Sequence, residues 1–483
     1  MTNLPIAVIG AGPVGLAAAA HLVKRGLRPA IFERGHRVGA SILDWAHVRV
    51  FSPWDYNVDA AARDLLAADG AAAPAGDYLP TGDEIVTQYL EPLARVPSIA
   101  TGLHLGAEVT GVTRFGHDLM SSDGRAEAPF VVRYRDAGGE RRMLARAVID
   151  ASGTWSRPNP MGADGLAVPG EAEAADLIAY GIPDVDGAER GTYAGRRVLV
   201  VGGGHSAINV ALALLDLQKR APRTQVLWAL RRDRIAQLLG GGLNDQLPSR
   251  GALGLAAKRA IDESRLHMLA PFAVDRVTRI GDRLRVDATL AGKPVTEEVD
   301  RIVVATGFRP DLSFLRELRL GLDPAVEATP SLAPLIDPNF HSCGTVPPHG
   351  IDELTHPEPG FVIVGSKSYG RAPTFLMATG YEQVRSVVAE IAGDHAAARE
   401  VRLALPETGV CGAPALDADA TTCCGAEPPA QGAEAGCCGG PAPANVHACC
   451  ADDAVAKARG ETGCGCGTGS APRRDLEATD ART

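Results

Sequence analysis

The sequence predicts an α/β protein of three layers, built on two copies of one strand–glycine-turn–helix unit and followed by a cysteine-rich tail. Three observations point there. From residue 1 to about residue 405, short apolar strands alternate with Ala-rich stretches of helical spacing, the pattern of layered α/β domains. The strand–glycine–helix unit occurs at Gly10 and again at Gly202. Residues 411–483 contain no Phe, Trp or Tyr and are rich in Ala, Gly and Pro. Such a segment cannot bury enough apolar surface to offset the entropy of ordering it, so the tail is expected to be disordered in isolation.

Composition narrows the classes of function. A chain of 483 residues has room for two or three domains. Hydrophobic residues make up 46% and charged residues 22%, with a mean hydropathy of +0.00, which excludes a coiled coil, a collagen or a fully disordered chain. No apolar run reaches the ~18–20 residues that a spanning helix needs, so no membrane role is expected. The formal net charge of −10 argues against nucleic acid as a partner. An apolar strand already begins at Pro5-Ile6, leaving no room for a signal peptide and pointing to the cytoplasm. Nine of the ten cysteines lie after residue 410, which is not how a secreted disulfide framework distributes them.

Each element follows from local pattern. Ile6–Ile9 is a continuous apolar strand, as expected for one buried on both faces. Gly10-Ala11-Gly12-Pro13-Val14-Gly15 then opens a helix that ends at Gly26, and Ala30–Phe32 is the next strand. The first glycine permits the tight turn, the second lets backbone approach a pyrophosphate, and the third lets helix and strand pack closely. Glu33 ends the second strand, where a carboxylate can hold ribose hydroxyls; an acid there favours FAD or NAD over a 2′-phosphate. Thr81-Gly82-Asp83-Glu84 reads as a capping box ahead of a helix over Ile85–Arg95. Strands at Val148–Asp150 and Ile302–Val304 each lead into a Gly-containing turn.

The second unit runs from strand Val198–Val201 through Gly202-Gly203-Gly204-His205-Ser206-Ala207 into a helix over Ile208–Leu217 and a strand at Val226–Leu230. Arg231 and Arg232 follow, and arginine at this position suits the 2′-phosphate of NADPH. Two such motifs imply two dinucleotides, FAD and the NADPH that reduces it. They imply two Rossmann-like domains: residues 1–154 for the first part of the FAD domain, 155–305 for NAD(P)H, 306–405 for the return segment of the FAD domain and 406–483 for the tail.

Ala151-Ser152-Gly153-Thr154 and Ala305-Thr306-Gly307-Phe308-Arg309-Pro310 look like the connectors by which two-dinucleotide-domain flavoproteins cross between domains. Over residues 4–395 the chain resembles those flavoproteins, and within them the flavin-containing monooxygenases, in Arg37–Trp45 and His47–Trp54. The FxGxxxH fingerprint of that family is reduced to Tyr180-Gly181-Ile182-Pro183, and Ser52-Pro53 stands where the family carries its active-site Asn, with Asn57 nearby. Trp45–Trp54, His341–Gly350 and Gly365–Pro373 are similar to the flavoprotein monooxygenases of arsenic-resistance operons.

The resemblance implies flavin contacts from Arg34, Ser41, Trp45, Arg49, Ser152, Gly153, Gly365 and Arg371, beside Gly10, Gly12, Pro13, Gly15 and Glu33. NADPH falls to Gly202, Gly204, His205, Ser206, Arg231 and Arg232, with Thr306 and Gly307 at the crossover. The candidate catalytic residues are Ser52, Asn57, Cys343 and His349. His341, Cys343, His349 and His356 share one loop, which reads as ordinary polar loop residues, as a substrate-facing loop over the flavin, or as a metal site without helical or CxxC spacing.

Adjacent cysteines make strained disulfides but good chelators of soft ions. Cys423-Cys424, Cys437-Cys438, Cys449-Cys450 and the pair Cys464 and Cys466 are therefore candidate ligands for As(III) or another thiophilic ion. The expected activity is an NADPH-using monooxygenase acting with O₂ on a small molecule. Two rivals stand beside it: a dithiol or metal-ion reductase using the tail cysteines, and a thiophile-sequestering protein.

Overall fold

The computed structural model describes residues 3–232, 248–339, 346–372 and 376–403. His341, Cys343 and all the tail cysteines lie outside the described residues. The strands, in chain order, are β1 (Ile6–Ile9), β2 (Pro29–Glu33), β3 (Leu103–Leu105), β4 (Glu108–Arg114), β5 (Phe130–Asp136), β6 (Gly139–Ala145), β7 (Ala147–Asp150) and β8 (Ile178–Tyr180). They continue as β9 (Arg197–Val201), β10 (Gln225–Ala229), β11 (His267–Leu269), β12 (Phe272–Ile280), β13 (Arg283–Leu290), β14 (Lys293–Val299), β15 (Arg301–Val304) and β16 (Phe361–Ile363).

Two parallel sheets result. The first has the order β16-β7-β1-β2-β3 and the second β11-β10-β9-β15-β8. The central strands are apolar runs because both faces are covered. On one face of the first sheet, Ile6, Val8, Ile31 and Ile149 pack on Leu16 of the helix Pro13–Lys24 and on Val384 and Val388 of the helix Met377–Ile391. On the other face, Ala7, Ile9, Phe32 and Val148 meet Val112, Phe130 and Val132 of the antiparallel sheet β4-β5-β6.

The second sheet repeats this plan. Val198, Val200, Trp228 and Val303 face the helices His205–Arg220 and Pro248–Asp262. Leu199, Val201, Leu227 and Ile302 face the antiparallel sheet β12-β13-β14 through Val274, Leu284 and Val286. Two Rossmann-like domains of three layers each are thus in place, and β16, from late in the chain, completes the sheet that β1 begins.

The capping box at Thr81 forms as expected, with Glu84 closing back on the Thr81 N–H. The helix it opens is not uniform: Ile85–Leu90 is a π turn and Glu91–Arg95 returns to α. Pro92 has no N–H to give to the preceding turn, which suits a widened turn at that point.

Candidate active site

β1 delivers the chain to Gly10, whose φ of +99° favours glycine. A Cβ there would lie 2.7 Å from the Ala151 carbonyl oxygen and 2.9 Å from Ser152 Cα. At Gly15 it would lie 1.9 Å from the Gly10 carbonyl oxygen. These two glycines let β1, the helix and the turn after β7 close up on one another. Gly12 is different. It has ordinary extended backbone, and an added Cβ would meet nothing within 4 Å. Gly12 is the N-cap of the helix Pro13–Lys24, which has Pro13 in its first turn and no side-chain cap. Open space before an uncapped helix N-terminus is what a pyrophosphate needs, so these residues fit a dinucleotide.

Glu33, at the end of β2, holds the rim of this turn. Its carboxylate accepts from the Ala11 N–H at 2.9 Å and the Gly35 N–H at 2.8 Å, leaving lone pairs for ribose hydroxyls. Ser41 lies in the short helix Ala40–Leu43, whose N-cap Gly39 donates to the Ala11 carbonyl at 2.9 Å. Trp45 is half-buried against Gly82. Arg34 is exposed. Arg49 is also exposed, with its guanidinium 5.1 Å over the Tyr78 ring and donating to the Leu79 carbonyl. Arg371 pairs with Glu327 at 3.1 Å.

Two buried polar networks brace the return segment. Lys367 Nζ lies 2.7 Å from Asp150 Oδ2 and donates to Ser152 Oγ at 3.1 Å. Ser152 Oγ in turn donates to Asp150 Oδ1 at 2.6 Å, so its hydroxyl points into this network. Gly153, next along, has φ +68°. In the second network Gln383 Oε1 accepts from the Gly365 N–H at 2.7 Å, and its amide donates to Ser368 Oγ and to His349 Nε2. His349 Nδ1 donates to the Pro347 carbonyl at 3.0 Å, which makes the ring a neutral acceptor at Nε2. Burial holds its pKa below the usual imidazole value. His356 is buried too, and burial pushes its pKa down to about 4.

Ser52 and Asn57 are buried and bonded to each other. Ser52 Oγ donates to Asn57 Oδ1 at 2.7 Å, and Asn57 Nδ2 donates to the Ser52 carbonyl at 2.7 Å. The Tyr381 hydroxyl anchors this turn on the Asn57 carbonyl at 2.7 Å, and burial raises its pKa well above the phenol range. Beside Ser52, the Phe51 ring meets the His205 ring edge-on at 5.4 Å. The turn of the first domain therefore reaches the second nucleotide motif.

That motif repeats the geometry of the first. Gly202 has φ +141°, and a Cβ there would lie 2.2 Å from the Ala305 carbonyl oxygen. At Gly204 it would meet nothing within 4 Å. The helix His205–Arg220, with Ser206 in its first turn, starts there without a side-chain cap. Arg231 and Arg232 are exposed just beyond β10, and Arg231 donates to the Ala163 carbonyl at 3.2 Å. Thr306 Oγ1 donates to the Asn159 carbonyl at 2.8 Å, Gly307 has φ +87°, and Trp155 stacks on Phe308 at 4.5 Å. The two crossover segments are thus paired side by side.

Sequence reasoning missed Asp150, Lys367, Gln383, Tyr381 and the Phe51–His205 contact. An acid closing the apolar strand Val148–Asp150 was the one visible signal among them. Among the described residues, no group of three or more His, Cys, Asp or Glu side chains is placed to hold a metal ion. Also among them, no helix is long and apolar enough to cross a membrane.

Two uncapped glycine turns at the carboxyl ends of two parallel sheets, in one chain, define an oxidoreductase that carries two dinucleotides. The chain belongs to the pyridine nucleotide-disulphide oxidoreductase family, whose profile matches residues 7–334. It is an enzyme dependent on FAD and NADP(H). A ferredoxin–NADP reductase of Streptococcus pneumoniae is 23% identical over 322 residues, which is 66% of this chain and 78% of the relative. The bacillithiol disulfide reductase of Bacillus cereus has a similar structure, with a TM-score of 0.58 and 20% identity over 81% of this chain and 99% of that one. The cadaverine monooxygenase of Erwinia amylovora, bound to FAD, also has a TM-score of 0.58, with 13% identity over 85% and 100%. At these identities the two structures speak for the fold alone.

Proposed function

We propose that this enzyme is an NADPH-using, FAD-dependent monooxygenase that oxygenates a soft heteroatom, with an arsenical as the substrate class and arsenic resistance as its role in the cytoplasm. One observation carries the choice. Residues 1–410 hold a single cysteine, Cys343, so the body has no thiol pair for disulfide exchange. Bound FAD would supply the two-electron relay between NADPH and O₂. The residues around it bind, orient and exclude water. In this reading the Gly10–Gly15 turn and Glu33 hold FAD, and the Gly202–Ser206 turn with Arg231 and Arg232 holds NADPH. The buried Ser52–Asn57 turn, pinned by Tyr381, adjoins Phe51, whose ring meets His205 of the second motif, and in this reading it would help to keep water from the reacting groups. Water exclusion of this kind protects reactive intermediates from hydrolysis.

A second reading is favoured by the vicinal cysteines of the tail and by the disulfide reductases of the same fold. There the tail supplies the missing dithiol, and the enzyme reduces a thiophilic substrate. Under the first reading the tail only chelates, because a bound metal itself supplies the ordering that chelation needs. Truncation after residue 408 separates the two. Under the monooxygenase reading, the truncated enzyme keeps its FAD and its substrate-stimulated NADPH oxidation but loses most As(III) or Hg(II) binding in equilibrium dialysis. Under ¹⁸O₂ the product carries label. NADPH oxidation that needs no O₂ and disappears with the tail would overturn the monooxygenase reading.

A further inference from the structure

The first glycine turn has an acid at its back. Asp150 ends β7, beside β1, and its side chain is fully buried. Two residues on, Ser152 Cα lies 2.9 Å from where a Cβ on Gly10 would stand, so this segment packs directly on the turn that faces the dinucleotide. A lone carboxylate in that place would repel the two negative charges of a pyrophosphate through a medium that screens poorly.

The partner comes from the far end of the chain. Lys367 sits in the turn Gly365–Tyr369 that follows β16, and its side chain is likewise fully buried. Its ammonium meets Asp150 at 2.7 Å and Ser152 Oγ at 3.1 Å, and it lies 4.5 Å over the Phe314 ring. Gly365, two residues earlier, has φ +71°, and a Cβ there would touch the Val14 side chain at 3.4 Å, in the first turn of the helix that faces the phosphates. The Lys367 ammonium therefore ties the return turn Gly365–Tyr369 to the segment after β7, and both of these segments pack on the glycine turn or its helix.

We propose that Lys367 is a positioning residue of the FAD site that acts by charge. It cancels the Asp150 carboxylate, so that an anionic pyrophosphate can settle on the Gly10–Gly15 turn. The inference rests on the placement of FAD at that turn. A mere brace and a charge compensator differ in the sign of their effects. If the pair only braces the fold, losing either partner weakens FAD binding equally. If Lys367 compensates charge, Lys367→Met leaves an unpaired acid behind the turn that repels the pyrophosphate, whereas Asp150→Asn leaves a cation there that attracts it.

The experiment titrates FAD into flavin-stripped full-length protein, following the quenching of flavin fluorescence for wild type, Lys367→Met, Asp150→Asn, the double variant and Gly12→Val. Circular dichroism reports the folded state of each. The expected result is a loss of about tenfold or more for Lys367→Met, the order expected of one uncompensated charge beside an anionic ligand. Asp150→Asn should stay within about threefold of wild type or bind more tightly, and the double variant should recover to within about threefold. Equal losses in both single variants, or no loss in Lys367→Met, would overturn the proposal. If Lys367→Met does not fold, Asp150→Asn and the double variant decide it: a tenfold loss in either refutes charge compensation. If Gly12→Val binds FAD normally, the placement of FAD itself has failed, a result distinct from any of these.

Discussion

Gly12 and Gly15 belong to one motif, yet the structure assigns them separate tasks that two substitutions can pull apart. A Cβ at Gly15 would stand 1.9 Å from the Gly10 carbonyl oxygen, and real Cβ atoms essentially never approach closer than 3.0 Å. Helix and strand would have to part by about 1.1 Å (3.0 − 1.9), and both of the crowded atoms are backbone. Overpacking of that kind costs about 1–3 kcal/mol, so Gly15→Ala should lower the melting temperature of the protein stripped of its flavin. At Gly12 the backbone is already extended and nothing stands within 4 Å. Gly12→Val should change the stability of the stripped protein by no more than about 1 kcal/mol, the scale of an N-cap exchange. Its methyl groups occupy the space a pyrophosphate would take, and a clash of ~1–3 kcal/mol weakens FAD by roughly 5–140-fold. Thermal melts of stripped protein and flavin content after gel filtration measure the two effects separately. Full flavin content in Gly12→Val would refute the reasoning, as would a melting temperature as low as that of Gly15→Ala.

Replacing Arg231 and Arg232 together by Ala should cut the preference for NADPH over NADH by about 10–150-fold, from the ~1.5–3 kcal/mol that a charged phosphate contact is worth. Comparing KM for the two coenzymes checks this, and equal values in the wild type would sink it. His356 contributes a pH dependence of known sign. Its native pKa of about 4 lies below the ordinary 6.5, so between those values the unfolded chain binds more protons than the native one. Stability is therefore lost as pH falls through that window. The urea midpoint of the wild type should fall more steeply from pH 7 to pH 5 than that of His356→Gln; parallel slopes would show that the buried ring is not responsible.

Legibility in the sequence follows the range of the interactions. Each strand–turn–helix unit is held by contacts within some thirty residues, and the glycine spacing, the apolar runs and the capping box at Thr81 all come from that range. The pairing of β7 with β1, of β15 with β9 and above all the position of β16 lie beyond it. This strand pairs with β7, more than two hundred residues earlier, and three apolar residues carry no address for that partner. Hydrophobic periodicity states that a strand is buried on both faces, and it does not state beside which strand.

The same limit explains which site residues were legible. Gly15 and Glu33 were legible as parts of the turn, because they meet neighbours a short distance along the chain, whereas Gly10 and Gly202 are held by carbonyls more than a hundred residues away. Ser152 shows where that reasoning stops. The resemblance implies a flavin contact for it, but its hydroxyl is committed to Asp150 and Lys367. The direction of a side chain is set by what lies opposite it, and here the opposite group is 215 residues away. Gln383 meets His349 and Tyr381 meets Asn57 in the same way, both from the helix Met377–Ile391. The polar residues Gln383 and Tyr381 of the helix Met377–Ile391 are buried because they hydrogen-bond turns of three other segments, at Gly365, His349 and Asn57, so these turns depend on a helix late in the chain.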